Sequence, residues 1–139
     1  MGRILAFDVG QKRVGIAATD SLKIIANGLT TVAIHEAHSF LKEYIEKEDV
    51  EAFVVGHAKK VTGEESASME YINPFVRSLK NKYRDIPVYF MDERFTSKLA
   101  LRAMIDGGMK KGARRDKGMV DKISATIILQ SFLESQNRI

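Results

Sequence analysis

Alternating and continuous apolar segments at the start of the chain predict three β-strands. Arg3–Val9 is rich in strand formers, and Gly10-Gln11-Lys12 indicates a turn into a second alternating segment, Arg13–Thr19. Asn27-Gly28 is a hairpin turn signal, and Leu29–Ile34 after it predicts a third strand. These segments together predict an antiparallel meander.

Two more strands and four helices follow along the chain. Ala52–Gly56 is uniformly apolar, as is typical of a strand buried on both faces of a parallel sheet. Pro87 begins the next predicted strand, Val88–Met91. Apolar residues at helical spacing predict helices over His35–Glu48, Glu64–Tyr83 (with a candidate kink at Pro74), Thr96–Ile105, and Met119 to about Gln136. A meander joined to helical crossovers predicts a mixed α/β fold with a five-stranded sheet.

Length and composition narrow the class of protein. The 139 residues suit a single domain, 1–139. The chain has no cysteine, which excludes disulfides and thiolate metal sites. No apolar run is long enough to cross a bilayer, and the N-terminus reaches Asp8 too early for a signal peptide. We therefore expect a cytoplasmic protein that does not contact a membrane.

Basic residues are concentrated before the last helix. The net charge of +4 is mild, but five cations fall within eight residues: Lys110, Lys111, Arg114, Arg115 and Lys117. A solvated loop is the ordinary interpretation of such a run, and phosphate binding requires further support from acidic chemistry nearby.

Three acidic residues lie beside apolar surfaces. Asp8 shares the two-residue period of Ile4 and Ala6, although it could simply begin a turn. Glu93 directly follows an apolar strand, at the edge where ligands bind in open α/β sheets, although an ion pair with Arg94 is an alternative. Asp121 lies on the apolar stripe of the last helix, although an acid is also favourable in a first turn.

A shared divalent cation would explain three carboxylates at such positions. Oxygen ligands without cysteine favour Mg²⁺ or Mn²⁺, and two such ions can catalyse phosphodiester hydrolysis. The three histidines do not form a metal-ligand spacing. The basic run, with Lys12, Arg13 and Arg94, would then hold a nucleic-acid backbone.

Three motifs in this chain resemble those of the YqgF/RuvX family. They are Ile4–Ala17, Asp92–Ser97 and Val120–Gln130, in the family's order and spacing. The resemblance implies a ribonuclease-H-like fold with helices on both faces of the sheet. It also implies catalytic and metal-binding roles for Asp8, Glu93 and Asp121.

The segment after the fourth predicted strand departs from the family. His57–Glu64 lacks the proline that often follows this strand in the family. Lys59 and Lys60 remain candidate substrate contacts, but the family's contacts in this loop do not transfer directly.

The resemblance also implies the substrate class and leaves alternatives open. Its members include nucleases that trim the 5′ end of 16S ribosomal RNA precursors, so structured RNA and the pre-ribosomal small subunit are expected partners. Cleavage of four-way DNA junctions is a second possibility, but it requires a dimer, and the sequence indicates no more than a monomer or weak homodimer. A non-catalytic nucleic-acid-binding module and an ATP-binding protein of the actin and sugar-kinase type are further alternatives.

Overall fold

The computed structural model describes residues 2–23, 25–57, 69–92 and 117–136, except for the side chains of residues 57, 92, 117–121 and 136. Five strands are present in this part of the chain: β1 Arg3–Val9, β2 Arg13–Thr19, β3 Ala26–Ala33, β4 Val50–His57 and β5 Val88–Asp92. The helices are α1 Ala37–Lys47, α2 Met69–Lys82 and α3 Lys117–Gln136, and a short 3-10 turn, Ile34–Glu36, precedes α1.

The strands form one mixed sheet in the order β3-β2-β1-β4-β5. The meander β1-β2-β3 is antiparallel, whereas β4 and β5 run parallel to β1. Parallel neighbours end at the same edge of a sheet, here called the carboxyl edge, and begin at the opposite amino edge. The predicted five-stranded mixed sheet is confirmed.

Each face of the sheet carries its own hydrophobic core. Leu5, Phe7 and Val9 of β1 pack on one face with residues of α1 and α2, among them Leu41 and Leu79. On the other face, Ile4 and Ala6 of β1 pack with residues of α3. These α3 residues are Ala125, Ile128, Leu129 and Phe132. Strand side chains alternate between faces, so the two-residue period of β1 accounts for both cores. The predicted helices on both faces are confirmed.

The expected turn at Asn27-Gly28 is wrong. These two residues lie within β3, where they pair with Ala18 and Ala17 of β2. A Cβ atom on Gly28 would lie 2.8 Å from Cγ of Lys122, so this glycine permits close approach of α3. The hairpin reverses earlier, where the Ile25 N–H donates to Oδ1 of Asp20 over 3.0 Å.

Other boundaries differ by a few residues. Helix α2 continues through Pro74, which lies inside it. Helix α3 begins at Lys117, so this residue belongs to the helix and not to the predicted basic loop. The predicted helix Thr96–Ile105 lies outside the described residues. None of the helices in the described part of the chain is both long and apolar enough to span a membrane.

Candidate active site at the carboxyl edge of the sheet

Asp8 lies near the carboxyl edge on the face covered by α3. It is the sixth residue of β1 and continues the alternation of Ile4 and Ala6, both buried against α3. Asp8 itself is only half-buried, whereas its neighbours Phe7 and Val9 are buried on the other face. A half-buried carboxylate at this point is accessible from the edge and is held by a central strand.

Glycines flank Asp8 on both neighbouring strands. Gly15 of β2 is its antiparallel partner, and Gly56 of β4 directly follows Val55, the partner of Phe7. Residues that lie opposite each other across a sheet share a face, so both glycines belong to the face of Asp8. Neither adds a side chain beside the carboxylate. This feature was missed at the sequence level, although a glycine inside a strand is a known sign of close approach.

Helix α3 crosses the strands from β3 towards β5. Lys122 and Thr126, near its start, contact Gly28 of β3. Phe132, near its end, packs against Tyr89 of β5 with ring centroids 5.5 Å apart. Strand pairing puts Gly28 and Tyr89 in the same row across the sheet, so α3 runs across the strands on the face of Asp8.

Residue 121 is in the second turn of this helix. It precedes Ala125 and Ile128 by four and seven residues, and both of these side chains are fully buried against the sheet. The predicted apolar stripe of α3 is confirmed at these positions. By helical spacing, Asp121 occupies the same stripe, which packs on the face of the sheet that carries Asp8; its side chain lies outside the described residues.

Strand β5 ends beside β4 at the same edge. Tyr89 and Met91 belong to the face of α3, because Tyr89 contacts Phe132 and Met91 packs against the α3 core. Asp92 pairs with His57 as the last residue of β5. Glu93 follows it directly and, like Arg94, lies outside the described residues.

Two of the predicted substrate-binding residues are described in full. Lys12 is exposed in the turn between β1 and β2, and its carbonyl accepts the Ile34 N–H over 2.9 Å. Arg13 is half-buried and shares the face of Gly15 and Asp8. A Cβ on Gly10 would lie 3.0 Å from the Arg13 carbonyl oxygen, so this tight turn favours glycine.

Lys117 alone among the remaining predicted basic residues lies in the described part of the chain. Lys117 is placed as the first residue of α3, without its side chain. The others lie outside the described residues: Lys59, Lys60, Arg94, Lys110, Lys111, Arg114 and Arg115. Among the described residues, no three acidic or histidine side chains form a metal-binding group. Only Asp8 of the three predicted ligands has a described side chain.

A pocket of about 420 Å³ lies at the opposite, amino edge. Its lining includes Ile4, Pro87, Tyr89 and Phe132. Lys23 and Glu51, also in the lining, form an ion pair with 2.7 Å between Nζ and Oε1. The one acidic side chain among the described lining residues is therefore already paired with a cation, so this pocket does not suit a divalent ion.

The fold is that of the ribonuclease-H-like resolvases. The structure of Thermus thermophilus RuvC in complex with a Holliday junction substrate superposes with a TM-score of 0.61, at 14% identity, covering 99% of this chain and 98% of that chain. The fowlpox virus resolvase in complex with Holliday junction DNA superposes with a TM-score of 0.58, at 13% identity, covering 98% and 99% of the two chains. The predicted ribonuclease-H-like fold is confirmed.

The chain belongs to the RuvX family, whose model, described as "RuvX: Holliday junction resolvase", matches residues 2–135. A protein of Phocaeicola vulgatus is 58% identical over 139 residues, which cover 100% of both chains. A protein of Bacteroides thetaiotaomicron is 53% identical over 136 residues, covering 98% of this chain and 99% of that one. Both relatives are named "Putative pre-16S rRNA nuclease". The family resemblance found in the three motifs is confirmed.

Proposed function

We propose that this protein is a nuclease that hydrolyses phosphodiester bonds at the carboxyl edge of its sheet. The observation that carries the proposal is the position of Asp8, a half-buried carboxylate between two glycines, near the carboxyl edge on the face covered by α3. Membership of the RuvX family and the names of the relatives support the same class of reaction.

Asp8, Glu93 and Asp121 are the proposed metal ligands. Extending the alternation of Tyr89 and Met91 by one step assigns Glu93 to the face of Asp8. Helical spacing assigns Asp121 to the same face. Oxygen ligands suit one or two ions of Mg²⁺ or Mn²⁺, and the glycines paired with Asp8 add no side chain next to its carboxylate. Such ions, when bound, activate water and stabilise the leaving oxygen.

The cations around this edge have a separate role in binding. Arg13 lies on the face of Asp8, and Lys12 is exposed in the turn beside it. Both can neutralise phosphates that flank the reacting bond. We assign the same role to Lys59, Lys60, Arg94, Lys110, Lys111, Arg114, Arg115 and Lys117. Phosphate contacts position a nucleic acid without selecting its sequence, so these residues determine affinity and register.

The proposed substrate is the 5′ end of precursor 16S ribosomal RNA, processed in the cytoplasm in association with the pre-ribosomal small subunit. The names of the relatives support this choice. The description of the family supports a second candidate, a four-way DNA junction. Symmetric cleavage of a junction requires two active sites, so that candidate predicts a dimer on its substrate.

Side-by-side cleavage assays test the reaction and the substrate. We expect a precursor 16S RNA fragment to be cut in Mg²⁺ or Mn²⁺, and a four-way DNA junction to be cut much more slowly. Asp8→Asn should abolish cleavage, whereas Asp49→Asn, at an exposed aspartate, should retain it. If the protein cuts the junction in preference to the RNA, the four-way DNA junction becomes the proposed substrate. Equal activity of Asp8→Asn and wild type would refute the proposed mechanism.

Metal binding can be tested without a substrate. An ion that binds only the folded state stabilises it by about 2.7 kcal/mol at one hundred times its Kd. We therefore expect Mn²⁺ to raise the Tm of the wild type and of Asp49→Asn, but not that of Asp8→Asn. A Tm increase that persists in Asp8→Asn would place the ion elsewhere.

A further inference from the structure

A groove that carries basic and hydroxyl-bearing residues lies between α1 and the end of α2, on the sheet face opposite to α3. Its volume is about 370 Å³, and its lining comprises His38, Ser39 and Lys42 of α1 with Lys82 and Tyr83 from the end of α2. Helices α1 and α2 pack on the face of the sheet that does not carry Asp8. The groove is therefore separate from the proposed active site.

The charge of this groove is positive. Two lysines line it, and none of its described lining residues is acidic. In the described part of the chain, neither Lys42 nor Lys82 has a carboxylate within ion-pair distance. Two ammonium groups without a counter-ion form a natural site for an anion.

His38 forms a fixed wall of the groove. Its ring stacks on Phe75, with centroids 5.9 Å apart and planes inclined at 25°. Among the described atoms, its Nδ1 is a buried nitrogen without a hydrogen-bond partner. Burial, and then the charge of Lys82, lower the pKa of His38. The ring is therefore neutral at neutral pH, and with the hydroxyls of Ser39 and Tyr83 it offers hydrogen-bonding groups beside the two lysines.

We infer that this groove binds a phosphate group of the nucleic-acid backbone at a distance from the cleaved bond. Two ammonium groups with neighbouring hydroxyls match the charge and hydrogen-bonding capacity of a phosphodiester. The open groove is larger than one phosphate, so a continuous backbone can enter and leave it. The inference deepens the proposed function and rests on it for the identity of the ligand, but binding of the phosphate group itself is independent of cleavage.

Inorganic phosphate is the probe for the first experiment. Phosphate is titrated into the full-length protein at constant ionic strength, with chloride as the balancing anion, and the ring signals of His38 are followed by NMR. We expect saturable shifts in the wild type and in the control Lys47→Gln/Lys80→Gln, whose exposed lysines lie on the same two helices outside the groove. The variant Lys42→Gln/Lys82→Gln should lose these shifts. If the shifts are absent in the wild type, or persist in Lys42→Gln/Lys82→Gln, the proposed phosphate site is wrong.

RNA affinity identifies the source of the phosphate. The same pairs of substitutions are introduced into Asp8→Asn, and binding of the precursor 16S RNA fragment is measured by anisotropy at several salt concentrations. Loss of one neutralised phosphate should reduce the slope of log K against log salt by about 0.7 to 0.9, and the control pair should change it much less. Phosphate binding with unchanged RNA affinity overturns the backbone assignment in favour of a small phosphorylated ligand.

Cleavage separates this inference from the proposed function. With Asp8 intact, Lys42→Gln/Lys82→Gln should raise KM for the RNA and leave kcat within about twofold, because the groove lies on the opposite face from the carboxylates. A matching loss of kcat would overturn a remote binding role. A wild-type protein that binds phosphate and RNA through the groove but cuts no substrate would refute the nuclease and leave the groove assignment intact.

Discussion

At the scale of single residues, we expect the space around Asp8 to matter as much as its charge. The carboxylate belongs to a row in which Gly15 and Gly56 occupy the adjacent strands. A larger residue at either position would place carbon atoms beside the carboxylate that we propose as a metal ligand. The acid was predictable from its place in an apolar strand, whereas its flanking glycines are 7 and 48 positions away in the chain and meet it through strand pairing.

The change Gly15→Ala tests the need for this space. We expect cleavage to fall at least about tenfold, which corresponds to about 1.4 kcal/mol, because the methyl group would lie beside Asp8. The Tm should change little. Ile16→Val is the matched control on the other face of β2, where it should reduce stability by about 0.5–1.5 kcal/mol and leave cleavage per folded molecule unchanged. Cleavage by Gly15→Ala at the wild-type rate would show that the space is not required.

His38 predicts a pH dependence of folding stability. Its folded-state pKa is lowered, chiefly by burial, from the usual value of 6.5. Below about pH 6.5 the unfolded chain binds a proton that the folded protein excludes, so this contribution to stability is complete above that pH and declines as the pH falls towards the folded-state pKa. His38→Phe keeps an aromatic ring on Phe75 and removes the titration.

Urea unfolding at pH 5.5 and 7.5 measures this effect. We expect the free energy of unfolding to fall less on acidification in His38→Phe than in the wild type. His35→Phe serves as the control, because His35 is exposed on the turn before α1 and should retain the wild-type decrease. An equal decrease in all three proteins would mean that His38 is protonated equally in the folded and unfolded states.

At the scale of elements, the contact between β3 and α3 determines where the first turns of α3 lie on the sheet. Gly28 lies under Lys122 and Thr126, whose hydroxyl also donates to the Lys122 carbonyl over 2.9 Å. The dipeptide Asn27-Gly28 has the composition of a hairpin turn, which is why its sequence was misleading. Its glycine instead allows a helix to pack closely on a strand, and only the docking of α3 distinguishes these two uses.

Gly28→Ala should disturb this contact. The new Cβ would lie 2.8 Å from Cγ of Lys122 and 3.0 Å from Oγ1 of Thr126, so the helix must shift or repack. We expect a loss of stability of about 1–3 kcal/mol by urea unfolding, and a lower kcat because Asp121 is next to Lys122. Asn27→Ala, at the exposed neighbouring position, should cause a much smaller loss. Wild-type stability in Gly28→Ala would show that α3 adjusts without cost.

At the scale of the whole molecule, the sheet separates two cores that serve different purposes. The α3 core supports the helix that carries Asp121, whereas the α1 and α2 core lies on the face away from Asp8. Leu129 of α3 and Leu79 of α2 are both fully buried, so they form a matched pair of core positions.

Truncation of each leucine should have similar effects on stability but different effects on catalysis. Leu129→Ala and Leu79→Ala should each cost about 2–5 kcal/mol by urea unfolding. At a temperature where circular dichroism shows both proteins folded, we expect a lower kcat only for Leu129→Ala, because a cavity under α3 displaces residue 121. Equal kcat values would indicate that the position of α3 does not limit the reaction.

The sequence by itself determined four of the strands, the three described helices and the face of β1 to which Asp8 belongs, because these follow from local periodicity within short segments. The order of these elements indicated the mixed sheet. Only the tertiary structure decided that glycines lie beside Asp8 and that Gly28 lies under α3. It also decided the direction in which α3 crosses the sheet and the presence of the groove between α1 and α2. Each of these depends on strand register or helix docking, which bring together residues that are distant in the chain.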